Sequence, residues 1–372
     1  MTNRSQSSLQ IDPSPFSSPG SRKHPGGNRE SLFAQNHRTT GDFIRKAIAR
    51  GIERFLSLQN RNGYWVFDLE ADTTIPSEYI FLQKFRGQPL DPSLRDRLVN
   101  YIRRRQLADG GWPLYEEGEA DISASVKAYF ALKMAGESPE ALHMVKAREL
   151  ILKMGGASRV NVFTRIALAL FGQIPWHTTP AMPVEITLLP RWFFFHLDKV
   201  SYWSRTVMVP LLILYAKRPV CRLAQEEGVR ELFIEPPETL QHLDKFTLGN
   251  WRKNLFILID RVLKRTEPWF PRHTREKAIH QAEQWTRERM GEGGIGAIFP
   301  AMANAVMALQ VLGCPKDDPD LVRGLKALED LLLHQGEESF CQPCVSPIWD
   351  TCLSLSANLE AGLPADRKAV DS

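Results

Sequence analysis

Between residues 44 and 56 the apolar side chains Ile44, Ile48, Ile52, Phe55 and Leu56 recur at intervals of three and four. That is the period of an α-helix with one buried face. The period returns in Leu94, Leu98 and Ile102, then breaks at "QLADGGW". The turns between helical stretches are built alike. Asp91-Pro92 sets a capping carboxylate before a proline suited to the first helical turn. Ser138-Pro139 restarts a helix 47 residues after Asp91-Pro92, and Asp318-Pro319 opens a third. The helices before the last two turns, "AYFALKMAG" and "NAVMALQVLG", end on Gly136 and Gly313, and "LSLSANLEAG", ending on Gly362, begins a fourth unit. Each unit therefore reads helix, capped turn, helix, loop, and the third is expected to run as helix to Gln335. No segment shows the alternation of a β-strand.

The loops repeat as well. Gln59, Gly63 and Trp65 recur as Gln106, Gly110 and Trp112, 47 residues later. Glycine permits a tight turn. The indole is expected to lie on the end of a neighbouring helix, and the glutamine amide to bond backbone groups left free there. Helix pairs of this size cannot bury their apolar faces alone, so they stack or close into a ring. The pattern predicts an all-α, α/α-barrel or toroid.

Composition adds limits. The chain has 372 residues, 43% hydrophobic and 24% charged, enough for a sizeable core and two domains. A net charge of +4 gives no argument for nucleic acid. Residues 1–40, rich in Ser, Pro, Gly and Asn, read as a disordered, weakly basic tail without the apolar core of a secretory signal. Five unevenly placed cysteines fit a reducing compartment, and Cys341 and Cys344 lack the further ligands of a zinc site. "KDDPD" (316–320) falls in an interhelical turn and lacks DDxxD spacing. No run approaches the ~18 apolar residues of a membrane span.

The repeats, together with "VFTRIALALFGQIPW" (162–176), "MPVEI" (182–186), "SYWSRTV" (201–207), "GIGAIFP" (294–300) and "CVSPIWDTCLSLSANLEAGLPAD" (344–366), resemble squalene–hopene cyclases of the triterpene cyclase family. The resemblance covers about residues 41–372. It implies an enzyme that folds squalene in an apolar cavity and protonates one end. The carbocation cascade that follows yields hopene or hopanol, with no metal and no cofactor. It also implies two α/α barrels with the substrate cavity between them, residues 69–344 being one complete barrel and residues 41–68 and 345–372 parts of an incomplete second. A one-leaflet, non-spanning membrane association on the cytoplasmic side and a homodimer belong to the same implication.

Carried over singly, Trp203, Phe163, Ile298 and Pro300 match residues of the substrate cavity, and Trp203, Ile298 and Trp349 are expected to face a common hollow. Phe299, between Ile298 and Pro300, departs from the Gln of some members. Glu78, Trp349 and Asp350 match the neighbourhood of the catalytic acid. Core packing is the competing reading for Trp203, Phe163 and Ile298, and helix capping or a surface carboxylate for Glu78 and Asp350. The family's Asp-x-Asp-Asp acid does not occur in this sequence. The chain thus resembles an amino-terminal fragment, expected to be inactive alone and to leave apolar faces uncovered. A non-catalytic lipid-binding barrel and a protein prenyltransferase-like toroid subunit stay open as alternatives.

Two segments suit a membrane surface. "LPRWFFFHL" (189–197) sets Trp192 and three phenylalanines beside basic residues. "NWRKNLFILIDRVLKR" (250–265) puts Trp251, Leu255, Leu258, Ile259 and Val262 on one face with Lys and Arg opposite, the pattern of an interfacial helix or of a buried amphipathic one.

Overall fold

The structure, a computed structural model, describes residues 29–194, 196–240 and 249–364. Residues 1–28, most of the segment read as a tail, lie outside the described residues, and helix α1 (Arg29–Ser57) begins inside the remainder of it. The chain continues through α2 (Thr74–Phe85), α3 (Pro92–Arg104), α4 (Ile122–Met134), α5 (Leu142–Lys153), α6 (Val162–Leu170) and α7 (Tyr202–Lys217). Then follow α8 (Trp251–Thr266), α9 (Arg272–Arg287), α10 (Phe299–Val311), α11 (Pro319–Glu329), strands β1 (Leu332–Gln335) and β2 (Glu338–Cys341), and α12 (Pro347–Glu360). Among the described residues, 64–351 form one compact unit, and 29–63 with 352–364 form another. In the second unit Phe43, Ile44 and Ile48 of α1 are exposed, where the helical period predicts a buried face.

The expected α/α-barrel is the architecture of the unit 64–351, and the two kinds of helix in it differ as their sequences dictate. "ISASVKAYFALKM" of α4 and "FPAMANAVMALQV" of α10 are apolar or small nearly all round, the composition of a helix buried on every side. Residues 123–133 of α4 are all buried. "PSLRDRLVNYIRR" of α3 and "PDLVRGLKALE" of α11 are apolar on one stripe only and form the outer layer. In the inner layer α2 packs on α4, α4 on α6, α7 on α10, and α10 back on α2, while α5, α9 and α11 back α4, α7 and α10. Asp91 and Asp318 cap α3 and α11 as expected, accepting from Leu94 N and from Asp320 N and Leu321 N.

One element departs from the helical reading. After α11 the chain makes a hairpin, β1 pairing antiparallel with β2 from Leu332↔Cys341 to Gln335↔Glu338. Gly336 turns it at φ +58°, a conformation that glycine takes without penalty and that suits a two-residue hairpin loop. β1 thus takes the place of the end of the helix expected to run to Gln335, and β2 lies on α3, with Phe340 stacked on Tyr101 at 5.1 Å.

The repeat loops are structural, but the division of labour differs from the expectation. Trp112 is fully buried, and its indole Nε1–H donates to Ile102 O at 2.7 Å. That carbonyl lies in the last turn of α3, where no intrahelical donor remains. The tryptophan, rather than the glutamine, therefore satisfies the helix end. Gln106 Nε2 instead bridges Gly110 O at 2.7 Å and His143 O of α5 at 2.8 Å. Gly110 has φ +98°, and a Cβ there would meet the Lys146 backbone at 2.6 Å. The first copy keeps the bond from Gln59 Nε2 to Gly63 O at 2.8 Å, and Trp65 is buried. Replacing Trp112 with Phe keeps a ring but orphans Ile102 O. It should lower the unfolding free energy by about 2–4 kcal/mol, read as a lower urea midpoint.

Candidate functional site

Five inner helices surround a cavity of about 370 Å³. Its wall is made by residues one helical turn apart, as facing side chains must be. They are Ile75, Glu78 and Leu82 of α2, Phe163, Ala167 and Leu170 of α6, Val207 and Leu211 of α7, and Pro300, Asn304 and Met307 of α10. Ser123 and Lys127 of α4 complete the circuit. Thr74, Ser123, Asn161 and Pro300 come from the beginnings of their helices, so the mouth lies at helix N-termini and the floor, with Phe81 and Phe171, lies deeper.

The lining is mostly hydrocarbon, with one carboxylate and one amine among its side chains: Glu78 and Lys127. The two form an ion pair, Nζ donating to Oε1, with Lys127 almost wholly buried. A buried ammonium is tolerated only when paired. Ser123 is also engaged, its Oγ accepting from Asn161 N at 2.9 Å.

The residues singled out in the sequence divide into groups. Glu78, Phe163 and Pro300 line this cavity. Phe163 stands at the mouth and is half exposed. Trp203 does not line it, yet lies four and eight residues before Val207 and Leu211 on the same face of α7, and is also half exposed. Ile298 is the N-cap of α10 and bridges to Cys344, while Phe299 is fully buried, its N–H donating to Pro343 O at 2.8 Å. Neither belongs to the lining. Trp349 is exposed on α12. Asp350 Oδ2 accepts from Phe67 N at 2.9 Å and Oδ1 from Ser346 Oγ at 3.0 Å, which ties down the segment after Trp65. Trp203, Ile298 and Trp349 are thus not gathered in one lining.

Lys127 escaped the sequence reading. Its signal was a cation inside "SASVKAYFAL", a stretch otherwise without charge. Lys133 repeats the signal, pairing with Glu231, which also accepts from Tyr129 Oη at 2.9 Å.

Helix α8 is turned against the usual sense. Trp251, Leu255, Leu258 and Val262 form an exposed stripe, with Phe256 and Trp269 exposed beside it. The side toward the protein carries the buried Ile257 together with Asp260, which accepts from Ala181 N at 2.5 Å and pairs with Lys264 at 2.8 Å, while Arg252, Lys253 and Arg265 are exposed. Ile259 is half-buried. Trp192 and Phe194 are also exposed; Phe195 lies outside the described residues. No helix among the described residues is long and apolar enough to cross a membrane.

The squalene-hopene cyclase N-terminal domain family matches residues 48–337, and the chain belongs to that family. It is 46% identical over 336 residues to a squalene–hopene cyclase of Zymomonas mobilis, covering 88% of this chain and 51% of that protein. Identity to the squalene–hopene cyclase of Bradyrhizobium diazoefficiens is 44%, covering 89% and 51%, and to that of Alicyclobacillus acidocaldarius 32%, covering 86% and 50%. The chain spans about half the length of these curated relatives.

Replacing Lys127 with Met strands the Glu78 carboxylate in the cavity wall. Breaking a sealed pair costs about 3–5 kcal/mol, and contact of Glu78 with the cavity reduces this to about 2–3 kcal/mol. The double variant Glu78→Gln with Lys127→Met should recover most of the loss in urea denaturation.

Proposed function

We propose that the open cavity of this barrel forms one wall of the substrate cavity of a squalene–hopene cyclase-type reaction: uptake of squalene, protonation at one end, and ring closure to hopene or hopanol. The observation that carries the reading is the hydrocarbon-lined cavity within the inner helix ring of a chain of this family. Carbocations need walls without a free nucleophile and with groups that stabilise charge without bonding it. Phe81, Phe163 and Phe171 present aromatic faces, whose quadrupole attracts cations. The one carboxylate of the lining, Glu78, is engaged by Lys127. Exclusion of water by the apolar wall strengthens each of these interactions.

The protonating acid is not among these residues, because the Asp-x-Asp-Asp motif does not occur in the sequence. The chain alone therefore binds squalene without turning it over. Incubated with squalene, the purified chain should retain it and yield no hopene by gas chromatography; ring closure would refute the second half of the proposal. Ala167→Trp, which fills the cavity between its mouth and floor, should abolish retention. Unchanged retention would refute the first half.

The outward apolar stripe of α8 is the docking surface for one leaflet. Tryptophan at both ends of the stripe, Trp251 and Trp269, and the basic residues Arg252, Lys253 and Arg265 suit the headgroup boundary. Leu258→Glu with Val262→Glu should reduce co-sedimentation with anionic lipid vesicles by about tenfold or more, given the area of apolar surface involved.

A further inference from the structure

We infer that a hollow at the C-terminal end of α8 receives the phosphodiester of a phospholipid headgroup. The inference rests on α8 being the membrane-docking surface and adds which part of the lipid the protein recognises. The hollow has a volume of about 240 Å³ and lies where α7 and α8 end and α9 begins. Trp176 and Tyr215 line it, their rings edge-on at 5.5 Å, together with Arg218, Lys264, Glu267 and Arg275. It shares no lining residue with the cavity inside the helix ring.

The charged side chains are gathered by their own bonds. Glu267 accepts from Arg218 Nη2 at 2.6 Å and from Arg275 Nη2 at 3.3 Å. Arg275 also donates through Nε to Glu185 at 2.9 Å. Lys264 pairs with Asp260, whose carboxylate accepts from Ala181 N of the same lining. The cations Arg218, Lys264 and Arg275 are thus matched in number by Glu267 in the lining and by Glu185 and Asp260 behind it. A site without net charge has little to hold a dianion. Its surplus is in donors, because a guanidinium carries five N–H groups and an ammonium three. Arg218 spends one of its five on Glu267. A phosphodiester carries a single charge and two free oxygens, the pattern that a guanidinium fork meets.

Arg218 marks the site. It is the C-cap of α7 and has a left-handed conformation, φ +47° and ψ +52°. Glycine takes that conformation at least cost and is the usual residue there. The Arg218 side chain is 49% exposed, against 20% for Lys264 and 27% for Arg275, so it is the first of the three that an entering ligand meets. The hollow also lies at a suitable height. An interfacial helix sinks its apolar side ~5–10 Å into the boundary of headgroups and acyl chains, and a helix is itself ~10 Å thick. With Leu258 and Val262 turned to the lipid, the side of α8 that carries Lys264 comes level with the headgroups. Trp269, exposed just beyond Glu267, suits the same boundary.

The test is co-sedimentation of the full chain with vesicles of phosphatidylcholine and of digalactosyldiacylglycerol. Both lipids are uncharged overall and both offer an apolar interior, but only the first has a phosphodiester. Wild-type protein should bind phosphatidylcholine about tenfold more tightly, the worth of one charge-assisted bond. Arg218→Gly removes the guanidinium and suits the backbone at that position. It should bring the ratio close to one while binding to the galactolipid persists. Arg218→Lys, which keeps the charge without the fork and guards against loss of folding, should fall between. Lys277→Gln, which removes an exposed cation of α9 outside the lining, should leave the ratio unchanged. A wild-type ratio near one overturns the headgroup site, and so does a ratio that survives in both Arg218 variants. An equal fall in Lys277→Gln overturns it as well. Failure of the wild type to bind either vesicle overturns the docking surface itself, and the headgroup site with it.

Discussion

An inner helix enclosed on every side has no polar face, and most of this structure follows from that constraint. Each charge on such a helix must find a partner or be lost from the sequence. Helix α4 carries two, and both are paired: Lys127 with Glu78 across the cavity wall, and Lys133 with Glu231 beyond the helix end. The ring can therefore be closed and still hold an ionic group next to a hydrocarbon space. The same constraint explains the alanines of α4, α6 and α10. Small residues let the inner helices approach, and the outer helices then need only one apolar stripe each.

The two ends of the ring are treated differently. At the C-terminal ends Lys84 of α2 and Lys133 of α4 lie where a helix dipole favours cations. They reach Glu227 and Glu231, and Gln173 Oε1 accepts from Val229 N at 2.8 Å. An irregular segment is thereby fastened across that end. At the N-terminal ends no such segment is fastened among the described residues lining the cavity, and the cavity opens there between Thr74, Asn161 and Phe163. Closure at one end and opening at the other are consequences of where the lysines sit.

Much of the fold was legible because the helical period is a local signal. The capped turns at Asp91-Pro92 and Asp318-Pro319, the repeat loops and the α/α architecture all follow from residues close together in sequence. The hairpin of β1 and β2 was not legible, since four-residue strands are too short for alternation to register and their pairing depends on α3 as a platform. The restart after Ser138-Pro139 was placed too early. That dipeptide forms a turn, and α5 begins at Leu142. Of the residues matched by motif, Glu78, Phe163 and Pro300 line the cavity, while Lys127, which also lines it, has its partner on another helix, so the pairing gives no local signal. Asp350 shows the reverse case. A carboxylate beside a motif tryptophan reads as chemistry, yet its oxygens are engaged with Phe67 N and Ser346 Oγ.

Helix α8 shows why amphipathic pattern alone cannot assign a face. Its apolar stripe and its charged stripe are equally clear in sequence, and the usual choice would bury the first. Asp260 decides otherwise. Its carboxylate accepts from the Ala181 amide and holds Lys264, so the side that carries Ile257 and Asp260 is fixed against the protein by one buried side chain and a specific set of bonds. With that side anchored, Trp251, Leu255, Leu258 and Val262 have no alternative but to face outward. The apolar stripe of α8 and the apolar lining of the cavity both exist because polar groups elsewhere were committed first.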